Sequence, residues 1–230
     1  MRLDALSLLT VNLPVLRAFY GETLGLAVVE ESATALSLRA GRTWFTFEQA
    51  PPGWAGFYHF AFNIPTNLFA SARAWLSGRA ALLRDSIGAD EFDFASWNAR
   101  ACYFDDPAGN IVEFIARHDI DEPAPEPFAG RMIQCISEIG LVSDDVPAAV
   151  GTLRERLGVQ PYRGAESETF TALGDEHGLF ICVKDGREWF PDKTRRAVWA
   201  RVRARVTTAD GRAHRVEAGD SNMVIREATN

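Results

Sequence analysis

The stretch Tyr103-Phe104-Asp105-Asp106-Pro107-Ala108-Gly109-Asn110-Ile111-Val112-Glu113-Phe114-Ile115-Ala116-Arg117 reads as a strand, a tight turn and a second strand. Pro107 presets φ and Gly109 accepts a positive φ, between two runs of aromatic and branched residues, which is hairpin chemistry. Period-2 alternation puts Ile111, Glu113 and Ile115 on one face of the second strand and Val112, Phe114 and Ala116 on the other. A carboxylate between two isoleucines must be paired, protonated or bound to a cation, because an isolated buried charge is too costly.

Working back from the hairpin, the chain repeats one pattern. Leu3 to Val11 predicts a strand, and Val15, Leu16, Phe19, Tyr20 and Leu24 recur at helical spacing until Gly25 stops them. Three short strands follow, near Ala27 to Glu31, Ala35 to Arg39 and Thr43 to Glu48. After Pro51-Pro52-Gly53 the order restarts, with a strand from Phe57 to Ile64, a helix from Asn67 to Leu76, an irregular stretch from Ala81 to Ser96 and then the opening hairpin. Each unit is βαβββ.

Working forward, Asp121 to Gly130 is acidic, proline-rich and without periodicity, so it predicts a linker. A third unit follows, with a strand from Ile133 to Val142, a helix carrying Val146, Val150, Leu153 and Leu157, and strands near Val159 to Arg163, Thr169 to Leu173 and Leu179 to Lys184. Ala197 to Thr207, Ala213 to Glu217 and Met223 to Glu227 then read as three strands without a helix. The expected division is a paired βαβββ domain over 1–120, a linker over 121–131, and a third module with C-terminal strands over 132–230. A half-module needs a partner sheet; the tail strands or a second subunit in a homodimer could supply it.

Composition narrows the partners. The 230 residues carry a net charge of −7 with no basic run, which argues against nucleic acid or an anionic membrane surface. No apolar run approaches the ~20 residues that span a bilayer, and no signal-peptide pattern opens the chain, so a cytoplasmic location is expected. Three scattered cysteines, each in a strand-like run, predict buried thiols rather than disulfides or a zinc cluster.

The repeated βαβββ units, Phe19-Tyr20 followed by Leu24-Gly25-Leu26, and the Asp106-Pro107-Ala108-Gly109-Asn110-Ile111-Val112-Glu113 ending together resemble the vicinal oxygen chelate superfamily of glyoxalases, extradiol dioxygenases and bleomycin resistance proteins. The resemblance implies an α+β fold of cupped mixed sheets. It also implies a divalent metal (Fe, Mn, Zn or Ni) in the cup and a small-molecule ligand, acted on by a dioxygenase, lyase or isomerase. The alternative it offers is a metal-free binding or sequestering protein. Its ligand slots fall on His59 and Glu113, which would serve as both metal ligands and catalytic residues. Strand parity supports His59 independently, since Phe57, His59, Ala61 and Asn63 share a face. In the first unit the slots fall on Ala5 and Phe45, which cannot bind metal. In the third they fall on Glu138 and Cys182, expected to belong to a different cup.

Trp97 and Arg100 precede the strand beside Glu113 and are expected at the mouth of the cup, Arg100 as a fork for a substrate anion. Gly186-Arg187-Glu188-Trp189-Phe190-Pro191 is an aromatic segment that either closes a cup as a lid or packs the tail strands against the third unit.

Overall fold

The computed structural model describes residues 1–164, 166–219 and 222–228. The first unit comprises β1 (Arg2–Thr10), helix α1, β2 (Ala27–Glu31), β3 (Ala35–Ala40) and β4 (Thr43–Gln49). Helix α1 is α-helical over Leu13–Leu16 and widens into π-type turns over Arg17–Thr23. The Asn12 side chain caps it by accepting from the Val15 amide, with Pro14 in the first turn.

The second unit comprises β5 (His59–Asn63), α2 (Phe69–Ser77), β6 (Phe92–Phe94), β7 (Ala99–Asp105) and β8 (Ile111–Arg117). Its closing hairpin forms as expected: β7 and β8 run antiparallel, and Gly109 turns the chain at φ 82°. The Asp106 side chain accepts from the Ala108 and Asn110 amides, fixing the turn.

The third unit comprises β9 (Cys135–Ser143), α3 (Val146–Leu157), β10 (Phe170–Asp175) and β11 (Gly178–Lys184). Asp145 caps α3, and Gly158 ends it in the left-handed conformation. The expected strand near Val159 to Arg163 is reduced to one bridge, Pro161 to Leu173. The tail forms an antiparallel meander of β12 (Val202–Thr207), β13 (Ala213–Gly219) and β14 (Asn222–Glu227).

Among the described residues two seven-stranded sheets result, ordered β14-β13-β12-β1-β4-β3-β2 and β10-β11-β9-β5-β8-β7-β6. Hydrogen-bonded pairing therefore crosses the 121–131 connector twice. The first unit completes its sheet with the tail through β1 and β12, and the second completes its own with the third unit through β5 and β9. The partner sheet that a half-module needs is supplied inside the chain.

The sheets meet at a shared core. Phe45 and Phe47 of β4 lie against Tyr20, and Phe45 lies 5.2 Å from Phe60 of the other sheet. Each such ring taken out of water contributes about 1.5–3 kcal/mol. The Tyr20 hydroxyl donates to Asp106 at 2.7 Å, tying α1 to the hairpin turn. The far face of the second sheet is a concave cup. Among the described residues no helix is long and apolar enough to cross a membrane.

Candidate functional site

Three adjacent strands at the centre of the second sheet each deliver one donor into the cup. His59 opens β5, Glu113 is the third residue of β8, and Glu138 is the fourth of β9. Ala61 pairs with Glu113 on one side and Glu138 on the other, so a single methyl group separates the two carboxylates across the floor. The imidazole nitrogen and carboxylate oxygens of the three residues lie within 4.8 Å of one another.

Glu138 corrects the sequence expectation, which assigned it to a different cup. Two features bring it in: β9 adds antiparallel to β5, and the register shifts so that Ala61 faces Glu138 while Phe62 faces Ile136. Ser137 is the extra residue of this β-bulge, which allows Ile136 to enter the core while Glu138 enters the cup. Cys182, the other expected third-unit slot, points into the core behind the sheet, where burial pushes its thiol up to about 12. Its neighbour Ile181 lines the cup instead.

The protonation pattern suits a cation. His59 Nδ1 lies 3.2 Å from the Ile111 carbonyl oxygen, which can only accept, so Nδ1 carries the proton. Nε2 is left as a lone pair 3.7 Å from Glu113 and 4.0 Å from Glu138, too far for hydrogen bonds. Burial lowers the His59 pKa to about 4, so the ring is neutral at physiological pH. Burial, and then the charge of Glu138, push Glu113 well above the usual carboxylate range, against the pull of Arg117 and a hydrogen bond from Tyr103. Burial also raises Glu138, with Arg117 opposing. Two buried carboxylates sharing a site cannot both ionise cheaply unless a positive charge joins them.

Arg117 is the buried charged residue beside the site that the sequence alone did not single out. It is fully buried, pairs with Glu138 and donates from Nε to Asn63 at 3.2 Å. Its guanidinium lies 5.5 Å from both the Trp97 and Tyr162 rings, a position that suits a planar cation. The signal was available: the alternation that places Glu113 in the cup places Arg117 on the same face.

A cavity of about 320 Å³ stands over the three donors, walled by Phe94, Trp97, Tyr103, Phe170, Ile181 and the segment bearing Trp189 and Phe190. That segment closes the cup, one of its two expected roles. Trp189 packs 4.9 Å from the His59 ring, and Phe190 lies 5.3 Å from Tyr103. Gly140 of β9 permits this, since a Cβ there would stand 2.9 Å from the Trp189 ring. Arg195 fastens the segment to the hairpin by donating to Asp105 at 2.5 Å and to the Gly109 carbonyl at 2.7 Å.

The other expected residues divide. Trp97 lines the cavity as anticipated. Arg100 does not: one residue out of phase with Ala99 and Ala101, it projects to the helical side, pairs with Glu91 and sits 5.0 Å over the Phe69 ring. Phe45 faces the core between the sheets rather than a cup. Ala5 lies on the outer face of the first sheet beside Arg205, lining a separate hollow of about 240 Å³.

No protein-family model and no curated protein matches the sequence. Solved structures do match in shape. A candidate dioxygenase from Bacillus subtilis superposes with a TM-score of 0.65 at 12% identity, over 99% of this chain and 84% of the other. Glyoxalase I from Zea mays gives 0.55 at 13% identity, over 98% and 92%. A glyoxalase, bleomycin resistance protein or dioxygenase from Nocardioides covers 55% of this chain and 89% of its own, with 20% identity and a TM-score of 0.42. The two long alignments, with the paired βαβββ units, show the vicinal oxygen chelate fold.

Proposed function

We propose that this chain is a metal-dependent enzyme of the glyoxalase and extradiol dioxygenase kind, with His59, Glu113 and Glu138 holding one divalent ion. The observation that carries this reading is the convergence of a neutral imidazole lone pair and two buried carboxylates at the floor of a ligand-sized cavity. One nitrogen and two oxygen donors suit Fe(II), Mn(II), Zn(II) or Ni(II). The ion would act as a Lewis acid on adjacent substrate oxygens.

The chain's own residues supply the rest. Ile111 fixes the His59 tautomer, and Arg117 orients Glu138, as partners behind a metal ligand do. Tyr103 keeps its proton, because burial and the neighbouring carboxylates hold its pKa far above the ordinary phenol value, and it hydrogen-bonds Glu113. Trp189 and Phe190 exclude water above the site, and Trp97 forms an apolar wall for the substrate. The metal-free alternative rested on the absent ligands at Ala5 and Phe45, and Glu138 supplies the donor that they do not.

The test is metal analysis of protein purified without chelators, alongside His59→Ala, Glu113→Ala and Glu138→Ala. Near-stoichiometric metal is expected in the wild type and at least a tenfold loss of affinity in each variant. Uptake should strengthen as pH rises from 5 to 8, because binding must displace the proton that burial keeps on Glu113; His59 is already neutral across that range. A wild type that takes up none of the four metals at pH 8 overturns the reading.

A further inference from the structure

The cavity has a positive group that this metal reading does not use. Arg187, on the closing segment, is the one arginine or lysine among its described lining residues. The segment is a short hairpin: the Gly186 amide donates to the Ala197 carbonyl at 2.8 Å, and the Ala197 amide returns a bond to the Arg187 carbonyl at 2.8 Å. The Arg187 backbone is therefore held at the cavity edge. Its guanidinium lies 4.9 Å from the Phe170 ring, and Nη1 donates to the Glu188 carbonyl at 3.3 Å.

Neighbouring arginines have acids. Arg195 takes Asp105, Arg196 takes Glu188 and Arg163 takes Asp119. No carboxylate among the described residues pairs with Arg187. The arginine paired with Glu138 at the floor is Arg117, whereas Arg187 lies against Phe170 on the closing segment. The cavity thus has a donor set for a cation at its floor, and a guanidinium and several aromatic rings on its lining. Burial lowers the Arg187 pKa, a cost that a bound anion would offset.

We infer that the ligand of this cavity is a compact, planar, apolar molecule bearing a carboxylate, and that Arg187 receives the carboxylate through its two-pronged fork. A guanidinium matches a carboxylate bidentately, while the Phe170, Trp97 and Phe190 rings suit a flat apolar body. The volume lies at the lower end of small-molecule sites, which sets the size near a substituted single ring. This inference rests on the cavity being a ligand site, as proposed above, but not on the metal being present.

The test is ligand-observed NMR titration of benzoate, benzamide and phenyl phosphate against the full chain, as purified and with added Mn(II)-free Zn(II), for the wild type, Arg187→Met and Arg187→Lys. Benzoate should bind at least tenfold more tightly than benzamide and more tightly than phenyl phosphate. Arg187→Met should lose that tenfold advantage, and Arg187→Lys should regain only part of it, because an ammonium lacks the fork. Thermal unfolding of both variants at the wild-type temperature establishes that they are folded. Benzoate binding no tighter than benzamide binding, or unchanged in Arg187→Met, overturns the inference; preference for phenyl phosphate overturns the carboxylate assignment. The two readings fail separately: a chain without metal can still show Arg187-dependent benzoate binding, and a metal-loaded chain can fail to show it.

Discussion

At the scale of single residues, the site is set by how each buried charge is compensated. Arg117 and Glu138 are both essentially removed from water, so each is tolerable only beside the other. Removing one partner strands the second. Arg117→Met is expected to destabilise the chain by about 3–5 kcal/mol in urea denaturation at pH 7, as for other broken buried pairs. Adding Glu138→Gln to that variant should recover most of the loss, since contacting residues are not additive. Equal losses in the single and double variants would show that Arg117 acts by packing on Trp97 and Tyr162 rather than by compensating a charge. Among the described residues no arginine or lysine pairs directly with Glu113. Its compensation comes from the Tyr103 hydroxyl and a retained proton, or from a cation under the function proposed above.

At the scale of elements, the closing segment is the part that turns an open sheet into a cavity. It is joined to β9 by the fit of Trp189 on Gly140 and to the β7–β8 turn by Arg195. Gly140→Ala places a methyl group where the indole edge lies. The expected outcome is that Trp189 shifts from His59, with a red-shifted tryptophan emission and at least a fivefold change in ligand or metal affinity, while global stability falls by no more than about 1–3 kcal/mol, the usual cost of overpacking. Unchanged emission together with unchanged affinity would show that the segment moves freely over the cup. The bulge at Ser137 belongs to the same scale, since one extra residue in β9 decides whether Glu138 meets His59.

At the scale of the whole molecule, the tail is part of the architecture. β12 pairs along β1, and Val202, Val206, Val216 and Ile225 bury their side chains in the core between the sheets. A chain ending at Ala197 would expose the β1 edge together with that apolar face, a template for association. It is expected to lack the cooperative thermal transition of the full chain and to elute as aggregate on size exclusion. A folded monomer melting at the wild-type temperature would contradict this. The site depends on the same long-range assembly: His59 and Glu113 come from one unit, whereas Glu138 arrives from a unit that begins beyond the 121–131 connector.

The sequence by itself determined the units, most of their strands and helices, the hairpin at Gly109 and the inward placement of Glu113 and His59. Those features follow from local periodicity, turn chemistry and strand parity, all written within a few residues. Arg117 was legible by the same parity, although an arginine at a strand end gives no local sign that it is buried. Only the tertiary structure decided which units share a sheet, and therefore that Glu138 completes the donor set while Cys182 and Phe45 face the core. Pairing between distant strands depends on how apolar faces are covered across the whole chain, and a single-residue register shift reverses which side chains enter the cup.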